Sequence, residues 1–340
     1  MEGEKMKCLA IADLFIDKQM MEEGLSGLKE LGVEVTIKEW KHKDLEALQK
    51  DNIQLEQGGS EVIELPTELT EGLDNYDIII TQFAPIGKAV IDQAKKLKVL
   101  GVLRAGIENV NVEYAESKGI TVLNTPGRST TSVSEFTVGM ILTETRNIAR
   151  SNHKLRNGVW EKNFPNGVLS PELKESTVGL IGYGAIGRKV AELLRPFGAK
   201  ILFFDEYYQD DTLDRKVETL EELVSSADII SMHYRLTDQT KDMINQEHFK
   251  LMKKNAVLIN TARSGLINEA DLAEALRKRK IAGAAVDVFD VEPLPSDHPY
   301  NSLDNITITS HIAGSTIGNF ANSPVILSER IIEVLELKVH

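Results

Sequence analysis

Short, unbroken apolar runs recur along the chain, separated by stretches with three- and four-residue apolar spacing. That alternation predicts buried parallel strands connected by helices. Residues 7–12 (Lys-Cys-Leu-Ala-Ile-Ala) read as a first strand. A helix over residues 18–31 stops at Gly32, and residues 33–37 read as a strand. Residues 38–75 are polar, acidic and weakly periodic, and the pattern assigns them no elements. Residues 77–80 and 99–103 are strands with a helix near 88–96 between them, and the second leads into Arg104-Ala105-Gly106. A short helix near 112–117 precedes a strand at 120–123. These elements predict a small α/β domain with a parallel sheet.

Asn124-Thr-Pro126-Gly127 reads as a turn and a domain boundary. The capping pattern Ser132-x-x-Glu135 predicts the start of a long helix reaching about Arg150. Residues 151–176 are polar with isolated aromatics, Trp160 and Phe164. They suit either an irregular connector or an arm packed on a second subunit. Strands are then expected at 178–181, 201–204, 228–232, 256–260, 283–288 and 306–309, with helices between them, one at 269–279. This is the strand set of a full doubly wound sheet. From Ser315 the chain reads as helix, with Ile326, Leu327, Ile331, Ile332 and Leu335 on one stripe. It is expected to cross back to the first domain, and Pro324 to start or kink it. The predicted fold is α/β with two Rossmann-like domains. Residues 1–125 with 315–340 form a smaller, discontinuous, flavodoxin-like domain, and residues 126–314 form a central doubly wound one.

The most informative stretch opens that central domain. The apolar run ending at Ile181 turns through Gly182-x-Gly184-Ala185-Ile186-Gly187 into a helix with Ile186, Val190, Leu193 and Leu194 on one face. Gly198 stops this helix, and the next strand ends in Asp205. Gly182 permits a tight turn, Gly184 lets a pyrophosphate approach the backbone, and Gly187 lets helix and strand pack closely. The helix N-terminus supplies free N–H groups and a positive dipole end. Asp205 follows Gly182 by about 23 residues, where a carboxylate can accept from adenosine ribose hydroxyls. The triplet alone is a weak signal, and the flanking strand, helix and acid make it a dinucleotide motif. Asp205 and Glu206 would repel a 2′-phosphate, so NAD (NADH) is expected rather than NADP.

Composition narrows the setting. The 340 residues suit two domains, and 42% hydrophobic with 27% charged residues is ordinary globular usage. A net charge of −13 has the wrong sign for nucleic acid or an anionic membrane as main partner. Cys8 is the only cysteine, which excludes an intrachain disulfide and fits a reducing compartment. The start of the chain lacks an apolar signal core, and no apolar run approaches the roughly 18 residues of a membrane span. A cytoplasmic location is expected.

Chemistry gathers at strand ends, where open α/β sheets bind ligands. Arg263 follows the strand at 256, Asp287 and Glu292 follow the strand at 283, and His311 follows the strand at 306. The three groups Arg263, Glu292 and His311 suit reduction of a 2-oxo acid. Arg263 would hold carboxylate and carbonyl oxygen through its planar fork. His311 would donate the hydroxyl proton, with Glu292 orienting the imidazole and stabilising its protonated form. The remaining histidines, His42, His153, His248, His298 and His340, stand in polar contexts and are expected to be solvated, while His233 ends a strand and reads as structural. No Cys/His/Asp cluster has metal-ligand spacing, so no metal is expected.

With these motifs in place, the chain resembles the D-isomer-specific 2-hydroxyacid dehydrogenases. That family includes D-3-phosphoglycerate dehydrogenase, D-lactate dehydrogenase, and glyoxylate and hydroxypyruvate reductases. The likeness runs from about Asp77 to Ser315 and rests on Arg104-Ala-Gly-Ile-Glu-Asn109, the Gly182–Gly187 turn with Asp205, Asn260-Thr261-Ala-Arg263, Asp287-Val-Phe and Ser310-His311-Ile-Ala-Gly314. The resemblance implies that Arg263, Glu292 and His311 are the catalytic set. It implies that Ala105 and Gly106 after Arg104 grip the substrate carboxylate, and that Asp287 contacts the nicotinamide carboxamide. It places His233 and Thr261 with Gly182, Gly184, Ala185, Ile186, Gly187 and Asp205 among the cofactor contacts. It implies a homodimer joined through the NAD domains and a small 2-hydroxy or 2-oxo acid as substrate, with Arg104 leaning towards a phosphoglycerate-like acid. His233-Tyr-Arg235-Leu-Thr237 departs from the family's His-x-Pro-Leu-Thr. The final helix has no regulatory extension after it, so feedback by serine is not expected. The competing expectation is an NAD-sensing protein like the corepressors of this fold. A formate dehydrogenase is a weaker rival, since that branch pairs its histidine with Gln where this chain offers Glu292.

Overall fold

A computed structural model describes residues 5–166 and 170–337. The chain divides into two compact units, Met1–Ser129 with Thr316–His340, and Thr130–Ser315.

The first unit is built on a parallel sheet of β1 (Lys7–Ala12), β2 (Glu34–Glu39), β3 (Ile78–Thr81), β4 (Val99–Val102) and β5 (Thr121–Asn124). Its spatial order is β2-β1-β3-β4-β5, the flavodoxin-like order. Both faces are covered, which is why these strands read as continuous apolar runs. Leu9, Ile11, Ile79 and Leu100 pack on one side with Leu48, Leu55 and Ile91. Cys8, Ala10, Ile78 and Ile80 pack on the other with Met21, Leu28, Leu327 and Ile331. Each such Leu or Ile contributes about 1.5–3 kcal/mol. The C-terminal helix, Ile317–Val334, thus joins the first unit's core.

Three local expectations change. The helix expected over residues 18–31 is two, Lys18–Gly24 and Ser26–Glu30, because Gly24 is a weak helix former at the break. A Cβ at Gly24 would lie 2.5 Å from Cβ of Pro324, so the helices Lys18–Gly24 and Ile317–Val334 pack closely there. Pro324 does not start its helix: it lies buried inside it, and Thr316 caps the start by accepting from Asn319 N–H. Residues 38–75, which the pattern left unassigned, hold a helix at Leu45–Gly58, capped by Asp44, and short turns at Thr67–Thr70 and Leu73–Asn75.

The second unit is a parallel sheet of β6 (Thr177–Ile181), β7 (Lys200–Phe204), β8 (Arg215–Lys216), β9 (Ile229–Met232), β10 (Val257–Asn260), β11 (Gly283–Val286) and β12 (Ile306–Ile308). The order is β12-β11-β10-β9-β6-β7-β8, a doubly wound sheet that reverses at β6. The strand that the apolar pattern missed is β8, a two-residue edge pairing whose Arg215 and Lys216 are exposed.

The helix before this sheet also differs from expectation. It spans Thr130–Thr145, so Ser132 lies within it rather than capping it. It ends before Asn147, whose φ of 55° turns the chain into a second helix, Ile148–Arg156. Glu144 braces this turn. Fully buried, it pairs with Arg150 at 2.5 Å and accepts from Thr307 Oγ1 at 2.7 Å, tying the helix end to β12. Arg150 bends back to donate to Asn147 Oδ1 and to the Asp304 carbonyl. Gly283 is required beside this pair, because a Cβ there would meet Glu144 Oε1 at 2.0 Å. Beyond Arg156 the chain is irregular, and Trp160 is 77% exposed. Residues 167–169 of the expected connector or arm lie outside the described residues.

Candidate active site

The carboxyl edge of the second sheet carries every group that the strand-end argument selected. β6 runs straight into Gly182, whose φ of 98° suits a residue without a side chain. A Cβ there would lie 2.8 Å from the His233 carbonyl carbon. Gly187 packs closer still, since a Cβ would meet the Gly182 carbonyl oxygen at 2.2 Å. Gly184 is the opposite case, with open space where its Cβ would stand. It is the N-cap of the helix Ala185–Leu194, and no side chain caps that end. The first N–H groups and the positive dipole end therefore face that open space.

Asp205 ends β7 and fastens this turn. Its Oδ2 accepts from Tyr183 N–H at 2.7 Å, and its Oδ1 accepts from Tyr207 and Tyr208 N–H at 2.9 and 3.2 Å. An ionised carboxylate has about four lone-pair sites, so room for ribose hydroxyls remains. His233 follows β9 and donates its N–H to the Ile181 carbonyl at 2.7 Å. Its ring Nε2 is enclosed with no hydrogen-bond partner among the described residues. Burial pushes its pKa down to about 3, so the ring is neutral near pH 7. The neighbouring Tyr234 hydroxyl accepts from Glu206 N–H at 3.2 Å, and Arg235 is exposed. These features fit a dinucleotide: open space over Gly184, an uncapped helix start, and a carboxylate at the end of β7.

The candidate reacting groups follow β10, β11 and β12. Arg263 is exposed, on a loop shaped by Asn260, which accepts from Ala262 N–H and donates to the Arg263 carbonyl. The Arg263 guanidinium is held by the Ala262 carbonyl at 2.7 Å. Thr261 is buried, its hydroxyl 2.7 Å from that of Thr137, which ties the loop to the helix Thr130–Thr145. His311 Nδ1 lies 2.8 Å from Glu292 Oε2, while Glu292 Oε1 accepts from Phe289 N–H at 3.0 Å. A carboxylate only accepts, so Nδ1 carries the hydrogen and the outward Nε2 is left to take or give a proton.

Asp287 explains how His311 is held. It is fully buried and accepts from Thr309 Oγ1 at 2.6 Å, Ile312 N–H at 3.0 Å and Ala313 N–H at 2.8 Å. Those donors bracket His311, whose φ of 54° is unusual for a side-chain-bearing residue. The anchored loop sustains that conformation. Strand-end reasoning found Asp287 but not this role, which depends on backbone groups.

In the first unit the edge looks different. Arg104, at the end of β4, is almost fully buried and donates to Asn52, Glu56 and Glu108. Ala105 is exposed, and its carbonyl accepts from Asn124 at 2.7 Å. Gly106 is in contact with the Arg104 and Glu108 side chains. Asn52 and Glu56 come from the stretch that the apolar pattern could not assign. Three histidines expected in solvent are not there. His42 is enclosed against the Trp40 ring and Asp51, and His298 packs on Tyr300 beside Glu269. His248 is half-buried, and burial lowers its pKa. His153 is exposed, and His340 lies outside the described residues.

An uncapped helix start over open space, a carboxylate-backed histidine and an exposed arginine on one sheet edge fit the doubly wound, NAD-binding class of proteins. The comparisons give the family. The model of the D-isomer specific 2-hydroxyacid dehydrogenase NAD-binding domain matches residues 138–313. A glyoxylate reductase of Thermofilum pendens is 40% identical over 275 residues, 79% of this chain and 81% of that protein. A D-3-phosphoglycerate dehydrogenase of Methanocaldococcus jannaschii is 38% identical over 273 residues, 79% of this chain but 51% of that protein. The chain thus spans about half the length of that relative. A solved D-lactate dehydrogenase of Treponema pallidum superposes with a TM-score of 0.78 at 27% identity, covering 97% of both chains. The chain belongs to the D-isomer-specific 2-hydroxyacid dehydrogenase family.

Proposed function

We propose that this chain transfers a hydride between NAD and C2 of a small D-2-hydroxy or 2-oxo acid, with Arg263, Glu292 and His311 as the catalytic set. The observation that carries this reading is the 2.8 Å pairing of His311 Nδ1 with Glu292 Oε2 on the edge that also holds the dinucleotide cradle. A sensor needs the cradle but not a carboxylate-backed proton donor. NAD, when bound, supplies the hydride acceptor or donor.

The chain's own groups do the rest. The fork of Arg263 holds the substrate carboxylate and carbonyl oxygen and favours the charge that develops on that oxygen. His311 gives a proton to it from Nε2 during reduction and takes one back during oxidation. Glu292 fixes the ring through Nδ1 and favours the imidazolium. Asp287 holds the loop that aims the ring. Gly184, Ala185, Ile186 and Gly187 present backbone to the pyrophosphate, Asp205 accepts from the adenosine ribose, and His233 and Thr261 line the same edge. Ala105 and Gly106 offer backbone N–H groups for a carboxylate.

NADH oxidation measured against glyoxylate, pyruvate and hydroxypyruvate tests the reading. Turnover of at least one is expected, and turnover of none, with NADH still binding, leaves the sensor reading in its place. The exposed Trp160 and the helix Ile148–Arg156, which has no buried residue, also support the expectation of a homodimer. Sedimentation equilibrium should give twice the chain mass of 37.7 kDa. Among the described residues no helix is long and apolar enough to cross a membrane.

A further inference from the structure

The relatives include proteins named for a phosphorylated acid and for unphosphorylated ones, and the end of β4 bears on the choice. Arg104 is the cation that a phosphate would seek there, and three of its five N–H donors are committed to side chains of this unit. Nη1 donates to Asn52 Oδ1 at 2.6 Å, and Nη2 donates to Glu56 Oε1 and Glu108 Oε2, each at 2.8 Å. Recognition of a phosphate by arginine uses a free, planar pair of donors. Here the guanidinium is enclosed beneath its partners and lies over the Phe83 ring at 5.3 Å. The two carboxylates are about half exposed, with side-chain accessibilities of 46% and 47%, whereas Arg104 shows 9%. The surface presented is therefore anionic, and one cation faces two anions. Arg128, a further cation whose charge is felt at Arg104, is half-buried, and its Nη1 donates to the Leu103 carbonyl and Ser323 Oγ.

The cluster adjoins the segment assigned to the substrate carboxylate. A Cβ on Gly106 would lie 2.4 Å from Glu108 Oε2 and 2.9 Å from Arg104 Nη2, so this backbone rests directly on the group. The segment follows a parallel strand, on the edge where such sheets bind ligands.

We infer that the Arg104–Glu56–Glu108 cluster makes this protein select unphosphorylated 2-oxo acids against their phosphorylated counterparts. The inference rests on the dehydrogenase reading above, in which Ala105 and Gly106 hold the substrate carboxylate. Because Gly106 adjoins Glu108 and Arg104, the part of a substrate next to that carboxylate would meet the cluster. A hydroxyl finds acceptors in Glu56 and Glu108, whereas a phosphate dianion finds like charge. Repulsion at contact distance near a protein surface exceeds the 1.4 kcal/mol that corresponds to a factor of ten.

The experiment compares hydroxypyruvate with 3-phosphohydroxypyruvate as NADH-linked substrates of the full chain. kcat/KM should be lower for the phosphorylated acid by roughly tenfold or more. Because the effect is like-charge repulsion, raising the salt should narrow the gap. The combined Glu56→Gln and Glu108→Gln substitution should narrow it at low salt by about the same factor. A wild-type enzyme that prefers the phosphorylated acid, or a gap that widens with salt, overturns the inference and leaves the dehydrogenase reading standing. Turnover of neither acid, nor of glyoxylate, overturns both together. The salt titration needs no variant, so it decides the matter even if the double variant does not fold.

Discussion

Two parallel sheets in this chain end in edges of opposite character. Along the first unit's edge the polar groups mostly engage one another, although Asn109 Oδ1 has no hydrogen-bond partner among the described residues. Arg104 is absorbed by Asn52, Glu56 and Glu108. Asp13, at the end of β1, accepts from Phe15 and Ile16 N–H at 2.8 and 3.0 Å and faces the Gln82 amide. Asn109 is buried and donates to the carbonyls of Gln82 and Ala84. Along the second unit's edge the groups are held from behind and offered in front. Asp205 and Asp287 grip backbone N–H groups, which leaves Gly184 open, the helix Ala185–Leu194 uncapped and His311 Nε2 facing outwards. A polar residue at a strand end is thus not a site by virtue of its place. What decides is whether its partners consume it or aim it.

The sharpest test of that contrast is at His311. His311→Gln retains a polar side chain near Glu292 but removes the group that can give or take a proton at Nε2. Turnover should fall by roughly 10²–10⁴, the usual contribution of general acid–base catalysis, or about 3–5 kcal/mol of barrier. NADH affinity, read by fluorescence titration, should change little, because the cradle lies on β6 and β7. Near wild-type turnover would show that the outward-facing histidine is not used, and the contrast between the edges would lose its functional meaning.

A smaller effect is expected at Asp205. As a charge alone, it predicts only a preference for NAD over NADP. The structure gives it three backbone donors across two loops, so Asp205→Ala should also loosen the glycine turn. Hydrogen bonds to a charged group contribute about 1.5–3 kcal/mol each, not additively, so a loss of about 3 kcal/mol in the second unit is expected. NADH should bind more weakly in proportion. A variant that simply admits NADPH, with unchanged thermal stability, would mean that the carboxylate reads the ribose without supporting the turn.

How much of this was legible follows from the same contrast. The glycine turn and the placement of His311, Glu292 and Arg263 on one sheet edge were legible because each lies within a few residues of an apolar run, and strand order puts such ends on one edge. The doubly wound sheet was legible for that reason too, except β8, whose two residues are charged. The Arg104 cluster was not legible. Asn52 and Glu56 sit on a helix that buries only Leu48 and Leu55, too sparse a stripe to register as a period. Glu144 was hidden similarly, as an acid inside a helix whose partners, Arg150 and Thr307, depend on the turn at Asn147. Asp287 was found for its position, but its hold on the His311 loop was not legible, since two of its three partners are backbone groups that no side-chain pattern marks.

The smallest expected effect concerns the closed edge, and pH reads it. Asp13 is buried, and desolvation raises its pKa to about 6 from 3.8, outweighing the lowering by Phe15 and Ile16 N–H, His42 and Arg128. A carboxyl whose folded pKa is raised holds its proton more tightly in the native state. Its contribution to stability is therefore present at low pH and is lost as pH rises from about 4 to about 6. A rise from 3.8 to about 6 sets a ceiling of about 3 kcal/mol for the loss. Asp13→Asn keeps an oxygen for the Phe15 and Ile16 N–H groups and removes the charge, and the Gln82 amide can turn its oxygen to the new donor. The variant's first unit should therefore gain on the wild type as pH rises through this window. Amide exchange of β1 measures that unit without relying on a single transition for the whole chain. His233, on the open edge, has the opposite sign: its pKa is lowered from 6.5 to about 3, so its stabilisation is lost as pH falls through that range. Acidification from pH 6 to 4 should then slow exchange in β1, after correction for the intrinsic rate, and speed it in β9. Equal responses in the two strands would mean that the edges do not differ as their charge partners indicate.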